Sequence, residues 1–131
     1  MAGDAFDPAQ SFVYLKDDGT CEPLAAGTAF WSDLAAGRID TNSGYLMMAG
    51  EVTDDMKHRE IHPEGEEILL RQPGWFDVVI DAGEGKTRTV RLDATTPCTI
   101  MPRGHWHRFV MIEPGRVLFV TYGRGTQHRP L

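Results

Sequence analysis

From residue 44 onward the chain divides into short runs, many rich in β-branched or aromatic residues, at 45–52, 56–62, 67–71, 75–81, 86–92, 98–101, 106–112 and 117–122. Between them stand Pro63-Glu64-Gly65, Pro73-Gly74, the segment 82–85, Pro102-Arg103-Gly104 and Pro114-Gly115. Short strands spaced roughly 8–12 residues apart and punctuated by Gly and Pro predict a β-sandwich or barrel. Helical periodicity is missing across this stretch, which argues against a βαβ architecture. Ahead of it, SFVYLK at 11–16 predicts a short edge strand closed by the Asp17-Asp18-Gly19 turn. The segment 28–36 carries the one helix pattern: Thr28 to cap it, Phe30, Trp31 and Leu34 on one face, and Gly37 to stop it. The expected class is all-β with a short helical or extended N-terminal segment.

Composition narrows the function. A chain of 131 residues fits one domain, taken as 1–131, and a domain of this size buries about 65–70% of its surface on folding. Its 14 Gly and 8 Pro are spread evenly, as many turns require. With 13 basic against 19 acidic side chains the formal net charge is −6, a poor match to a phosphate backbone or an anionic bilayer. Neither nucleic acid nor membrane is therefore expected as a partner. No apolar run approaches the roughly 18 residues of a membrane span, and MAGDAFDPAQ carries acids where a signal peptide needs bases. Cys21 and Cys98 form no disulfide framework, so a reducing cytoplasm is the expected setting.

Histidine sharpens the picture, because four of the five fall in two tight groups, His58-Arg59-Glu60-Ile61-His62 and His105-Trp106-His107. Strand alternation would place His58, Glu60 and His62 on one face, and His105 and His107 likewise on one face. Glu66 and Glu67 follow the turn after His62 and could set a carboxylate beside it. Either group alone reads as readily as a solvated strand face. Together, converging imidazoles and carboxylates suit a divalent metal such as Fe, Mn, Ni, Cu or Zn.

Order and spacing carry a resemblance. His62-Pro63-Glu64-Gly65-Glu66-Glu67, followed after six residues by Gly74, resembles the second half of the first cupin motif, H-x(3,4)-E-x(6)-G. Pro102-Arg103-Gly104-His105-Trp106-His107 resembles the second, P-x-G-x-x-H. The resemblance covers a core of about 44–122, leaving 1–43 as an N-terminal extension. It implies an antiparallel double-sheet jelly-roll barrel whose open mouth holds a metal, with Gly74 and Gly104 at tight turns. It also implies His62, Glu67 and His107 as ligands. The chain departs from the family two residues before His62, where Glu60 stands in place of His. Three alternatives follow. Glu60 ligates through oxygen, giving a harder two-His, two-carboxylate set that favours Mn or Fe over Cu. Otherwise His58 substitutes at a shifted register, or the site holds a ligand without metal.

Further expectations attach to neighbouring residues. His58 and His105 are the catalytic, proton-transferring candidates, since imidazole titrates near neutrality. Trp75, Phe76, Trp106, Phe109 and Phe119 are expected in the core or an interface, while Tyr45 and Met47 could line the cavity or join the core. Arg103 and Arg108 could meet an anionic substrate or lie on the surface. Cys98 is expected as a small buried hydrophobe, Glu66 as a solvated neighbour of Glu67, and His128 in the polar tail 124–131 as exposed.

The resemblance implies a small-molecule enzyme of dioxygenase, isomerase or lyase type, with a divalent ion (Fe, Mn, Ni or Zn) as Lewis acid. A non-catalytic module holding a sugar, sugar acid or other small ligand is the alternative. No helix-turn-helix precedes the barrel, so a cupin-type regulator is not expected. A homodimer, paired through a sheet edge or a swapped 1–43 segment, is.

Overall fold

A computed structural model describes residues 3–131. The elements run β1 (Ser11–Lys16), β2 (Cys21–Ala25), α1 (Phe30–Ala35), β3 (Gly44–Val52), β4 (His58–Ile61), β5 (Glu67–Arg71) and β6 (Trp75–Gly83). They continue with β7 (Lys86–Leu92), β8 (Cys98–Met101), β9 (His107–Glu113), β10 (Gly115–Thr121) and β11 (Gln127–Pro130). Two antiparallel sheets result, one in the order β2-β1-β3-β10-β5-β8 and the other β11-β4-β9-β6-β7. The punctuated runs thus form the expected all-β architecture, and the two sheets are the double-sheet jelly roll that the motif resemblance implies.

The main core lies between the sheets. Phe76, Val78 and Ile80 alternate inward along β6 and meet Leu69, Leu92, Met101 and Val117. Phe76 is fully buried, so truncating it to Ala would cost about 3–5 kcal/mol. A second cluster forms where α1 packs Phe30 on Phe12 of β1 and Leu46 of β3, the two Phe rings edge to face at 4.9 Å. These clusters leave the space between them open.

Both motif turns do structural work. Gly74 has φ +107, and a Cβ there would meet the Phe76 ring at 2.6 Å. Gly104 has φ +75, and its N–H donates to the His62 carbonyl at 2.9 Å, tying the second motif to the first.

Several expectations are corrected. β1 is not an edge strand, because β2 pairs on its outer side. β2 and β11 escape the sequence pattern for one reason: both are outermost strands, largely exposed, and both contain a Pro that only an edge tolerates. Thr28 does not cap α1; Ala29 occupies that position without a side-chain bond. Trp31 leaves the helix's buried face and is 54% exposed. Cys98 is exposed, because it sits on edge strand β8 with its side chain outward. Segment 3–43 packs on its own barrel through the β1–β3 pairing, an Asp7–Arg116 ion pair and the Ala49 N–H bond to the Pro8 carbonyl.

Candidate metal centre

Strand ends bring the site together. His62 follows β4 directly, Glu67 opens β5 and His107 opens β9, while the β4–β9 register sets Glu60 opposite His107. All three motif residues are buried, each 3% exposed. His62 Nε2 lies 2.9 Å from Glu60 Oε1 and 3.3 Å from Glu67 Oε2, and His107 Nε2 lies 3.5 Å from Glu67 Oε1. Donor atoms of Glu60, His62 and His107 all fall within 4.8 Å of one another, a group that could hold a metal ion.

The surroundings orient these groups. His107 Nδ1 donates to the His105 carbonyl at 3.1 Å, which leaves Nε2 free to present its lone pair inward. His62 Nδ1 contacts the Thr126 hydroxyl at 2.8 Å. Thr121, opposite Glu67 in the β10–β5 register, donates its hydroxyl to Glu67 Oε2 at 2.5 Å. Neither Thr was anticipated; only the pairing of β10 with β5 and the turn before β11 reveal them.

Charge follows the same geometry. Burial opposes a charge on His62, yet contact with Glu60 and Glu67 outweighs it and raises the pKa to about 9. Burial also opposes ionisation of Glu67, but His107, His62 and Thr121 outweigh that and hold it at about 2. Glu60 is lowered too: burial pushes its pKa up, and the His62 contact more than compensates. Despite these close carboxylates, His62 Nε2 is buried without a directed hydrogen-bond partner. A nitrogen so placed, between two ionised carboxylates and beside a second imidazole, fits a cation of borderline hardness.

Above the group opens a cavity of about 900 Å³, walled by side chains such as Phe12, Leu46, Met48, Val52, Met56, Phe109 and Phe119. Asp40, Glu60 and Glu67 line it, and no Lys or Arg does among the described residues. His58 also lines it, sharing the face of Glu60 and His62 as alternation predicts.

Other candidates lie elsewhere. His105 is exposed, outside the cavity, with Nδ1 3.2 Å from the Asp81 carbonyl. The alternation that paired it with His107 fails because β9 begins only at His107. Its contribution to the site is its backbone carbonyl. Arg103, Arg108 and Glu66 do not line the cavity, and neither do Tyr45 and Met47, whose strand neighbours Leu46 and Met48 do. Tyr45 instead packs edge to face on Tyr122 at 5.3 Å. His128 is exposed as expected, yet it lines the cavity mouth with Nε2 2.9 Å from Glu60 Oε2.

Solved structures share this architecture. Vicilin from Corylus avellana superposes with a TM-score of 0.53 at 16% identity, over 67% of this chain and 27% of that one. Oxalate decarboxylase from Bacillus subtilis gives 0.51 at 20% identity, over 66% and 23%. Both are cupins. The chain has the cupin fold. A cupin-2 domain protein from Shewanella frigidimarina also aligns, with a TM-score of 0.49 at 14% identity over 59% of this chain and 69% of that one. The chain thus spans about a quarter of the vicilin and decarboxylase chains. No sequence-family model and no curated protein sequence matches it. Among the described residues, no helix is long and apolar enough to cross a membrane.

Proposed function

We propose that this cupin holds a divalent metal on Glu60, His62, Glu67 and His107 and acts on a small, largely apolar molecule, as an enzyme of dioxygenase, isomerase or lyase type. The observation carrying this reading is the convergence of buried donor atoms at the edge of the cavity, with His62 Nε2 2.9 Å from Glu60 Oε1 and 3.3 Å from Glu67 Oε2, and His107 Nε2 3.5 Å from Glu67 Oε1. When bound, the ion would supply Lewis-acid polarisation of a substrate oxygen. The two-nitrogen, two-oxygen donor set suits Fe, Mn, Ni or Zn. The apolar walls exclude water and orient the ligand, and His58 lines the cavity on the same face as Glu60.

The lining also bears on substrate class. The decarboxylase of like fold is named for oxalate, a small dianion. Here no basic side chain lines the cavity among the described residues, so we read the substrate as uncharged, with its polar atoms toward the ligand group. Metal analysis of untagged protein purified without added metal is the test. A His62→Ala variant that kept its full metal content would sink the assignment.

A second reading, a non-catalytic binding module, draws on the predominantly apolar lining, which can retain a ligand with no chemistry at all. Turnover in an oxygen-uptake, isomerase or lyase screen separates the two. The homodimer is likewise a proposal, and a monomer by light scattering at micromolar concentration would refute it.

A further inference from the structure

We infer that the mouth of the barrel binds a second divalent cation on His58, Glu60 and His128, with the Glu60 carboxylate shared between that ion and the inner group. The sharing rests on the metal-centre reading above, whereas the outer donor group stands on its own geometry. β11 lies antiparallel on β4 with His128 opposite Glu60 and Pro130 opposite His58. Residues directly opposite in such a pair project from one face, as do residues two apart in a strand. All three side chains therefore reach the cavity mouth.

The contacts are already close. His128 Nε2 lies 2.9 Å from Glu60 Oε2, the His58 and His128 rings are 4.9 Å apart, and one donor atom from each residue falls within 4.8 Å of the others. Small rotations of the exposed His128 and half-buried His58 would bring them to bonds of about 2.0–2.2 Å on one ion. Glu60 uses its two oxygens separately, Oε1 toward His62 and Oε2 toward His128. A carboxylate flanked in this way by an imidazole on each oxygen can bridge two cations.

The outer contact is not needed to hold the strand. Arg129 points to the opposite face, stacks 4.3 Å over the Trp106 ring and pairs with Asp81 Oδ2 at 2.9 Å. β11 is therefore pinned from behind, and His128 is presented at the mouth. Two imidazole nitrogens and one carboxylate oxygen are borderline donors, which select Zn²⁺, Ni²⁺ or Cu²⁺ over Ca²⁺ or Mg²⁺. Three protein ligands leave a coordination position for water or a ligand oxygen entering the cavity.

The test is a Zn²⁺ titration of metal-free, untagged protein by calorimetry, with bound metal counted after desalting. The wild type is expected to take up two ions per chain, and His128→Ala, His58→Ala and His107→Ala one each. His128 is exposed, so its variant should keep the wild-type melting temperature. Uptake of one ion that is lost in His128→Ala but kept in His107→Ala would support the outer site while removing the inner one. Uptake of one ion lost in His107→Ala and kept in His128→Ala would overturn the inference. So would uptake of no ion, or of two that persist in both outer variants.

Discussion

On one side of the Glu60 carboxylate, Oε1 meets His62 in a pocket where His62, Glu67 and His107 are all buried. On the other, Oε2 meets His128, whose side chain is 55% exposed on an edge strand. The inner side chains sit where central strands begin or end, and each has a fixed partner: Thr126 for His62, Thr121 for Glu67, the His105 carbonyl for His107. The outer group draws His58 from β4, and its His128 depends on a single four-residue strand, β11, at the sheet's margin. Burial makes the inner group rigid and costly to disturb. The outer group is cheap to alter, and its order is borrowed from Arg129.

The largest difference should appear when a charge is removed. Glu67→Ala leaves His62 and His107 facing a hole and the Thr121 hydroxyl without its acceptor. Breaking a buried pair by deleting one partner costs about 3–5 kcal/mol. We expect a urea-unfolding loss of that order together with loss of the inner metal. The same truncation at His128 should leave unfolding unchanged within about 0.5 kcal/mol, as exposed substitutions do. Equal losses in the two variants would erase the distinction between the groups.

That distinction also governs how much could be read from the residues alone. His62, Glu67 and His107 came from the resemblance to the two cupin motifs, whose Pro- and Gly-bearing turns fix where strands start, and the structure brings the three side chains together. Glu60 followed from alternation with His62. Alternation failed at His105, one step outside β9, and at Tyr45 and Met47, where the right strand was assigned without knowing which face its partners β1 and β10 turn inward. β2 and β11 left no pattern, since an exposed edge strand has no buried face to impose one. Thr121 and Thr126 are ordinary residues in the sequence, and only strand pairing and the last turn bring them to the imidazole and carboxylate.

Removing the ion separates the regions a second time, through pH. Binding to the folded chain alone stabilises it by about 2.7 kcal/mol when free metal is 100 times the Kd, and chelation should remove that amount. In metal-free protein, Glu67 titrates at about 2 against a usual 4.5. The unfolded chain therefore takes the proton first, and this stabilisation, complete above pH 4.5, is lost as pH falls toward 2. His62 titrates at about 9 against a usual 6.5, so its contribution is complete below pH 6.5 and disappears as pH rises toward 9. Urea midpoints of metal-free protein should be flat between those limits and fall on either side. Saturating metal should abolish the alkaline fall, because a ligating Nε2 carries no proton. An alkaline fall that survives in His62→Ala would place its origin elsewhere.

The smallest effect tests what the outer group borrows. Arg129→Ala removes the stack on Trp106, worth about 0.5–1 kcal/mol at an exposed site, and an ion pair with Asp81 worth about 0–1 kcal/mol. The global cost should therefore be near 1 kcal/mol, less than for any change in the inner group. Its effect on the mouth should be out of proportion to that cost. Once β11 frays, His128 no longer stands opposite Glu60, and the outer Zn²⁺ affinity should fall at least about 10-fold, as it does when a group that orients a ligand is lost. Inner affinity should fall less, since Glu60 is the inner ligand that meets β11, while His62, Glu67 and His107 are held by Thr126, Thr121 and the His105 carbonyl. Hydrogen exchange of the Gln127–Pro130 segment, read beside the calorimetric titration, decides the point: faster exchange with both affinities intact would mean that His128 is ordered by something other than Arg129.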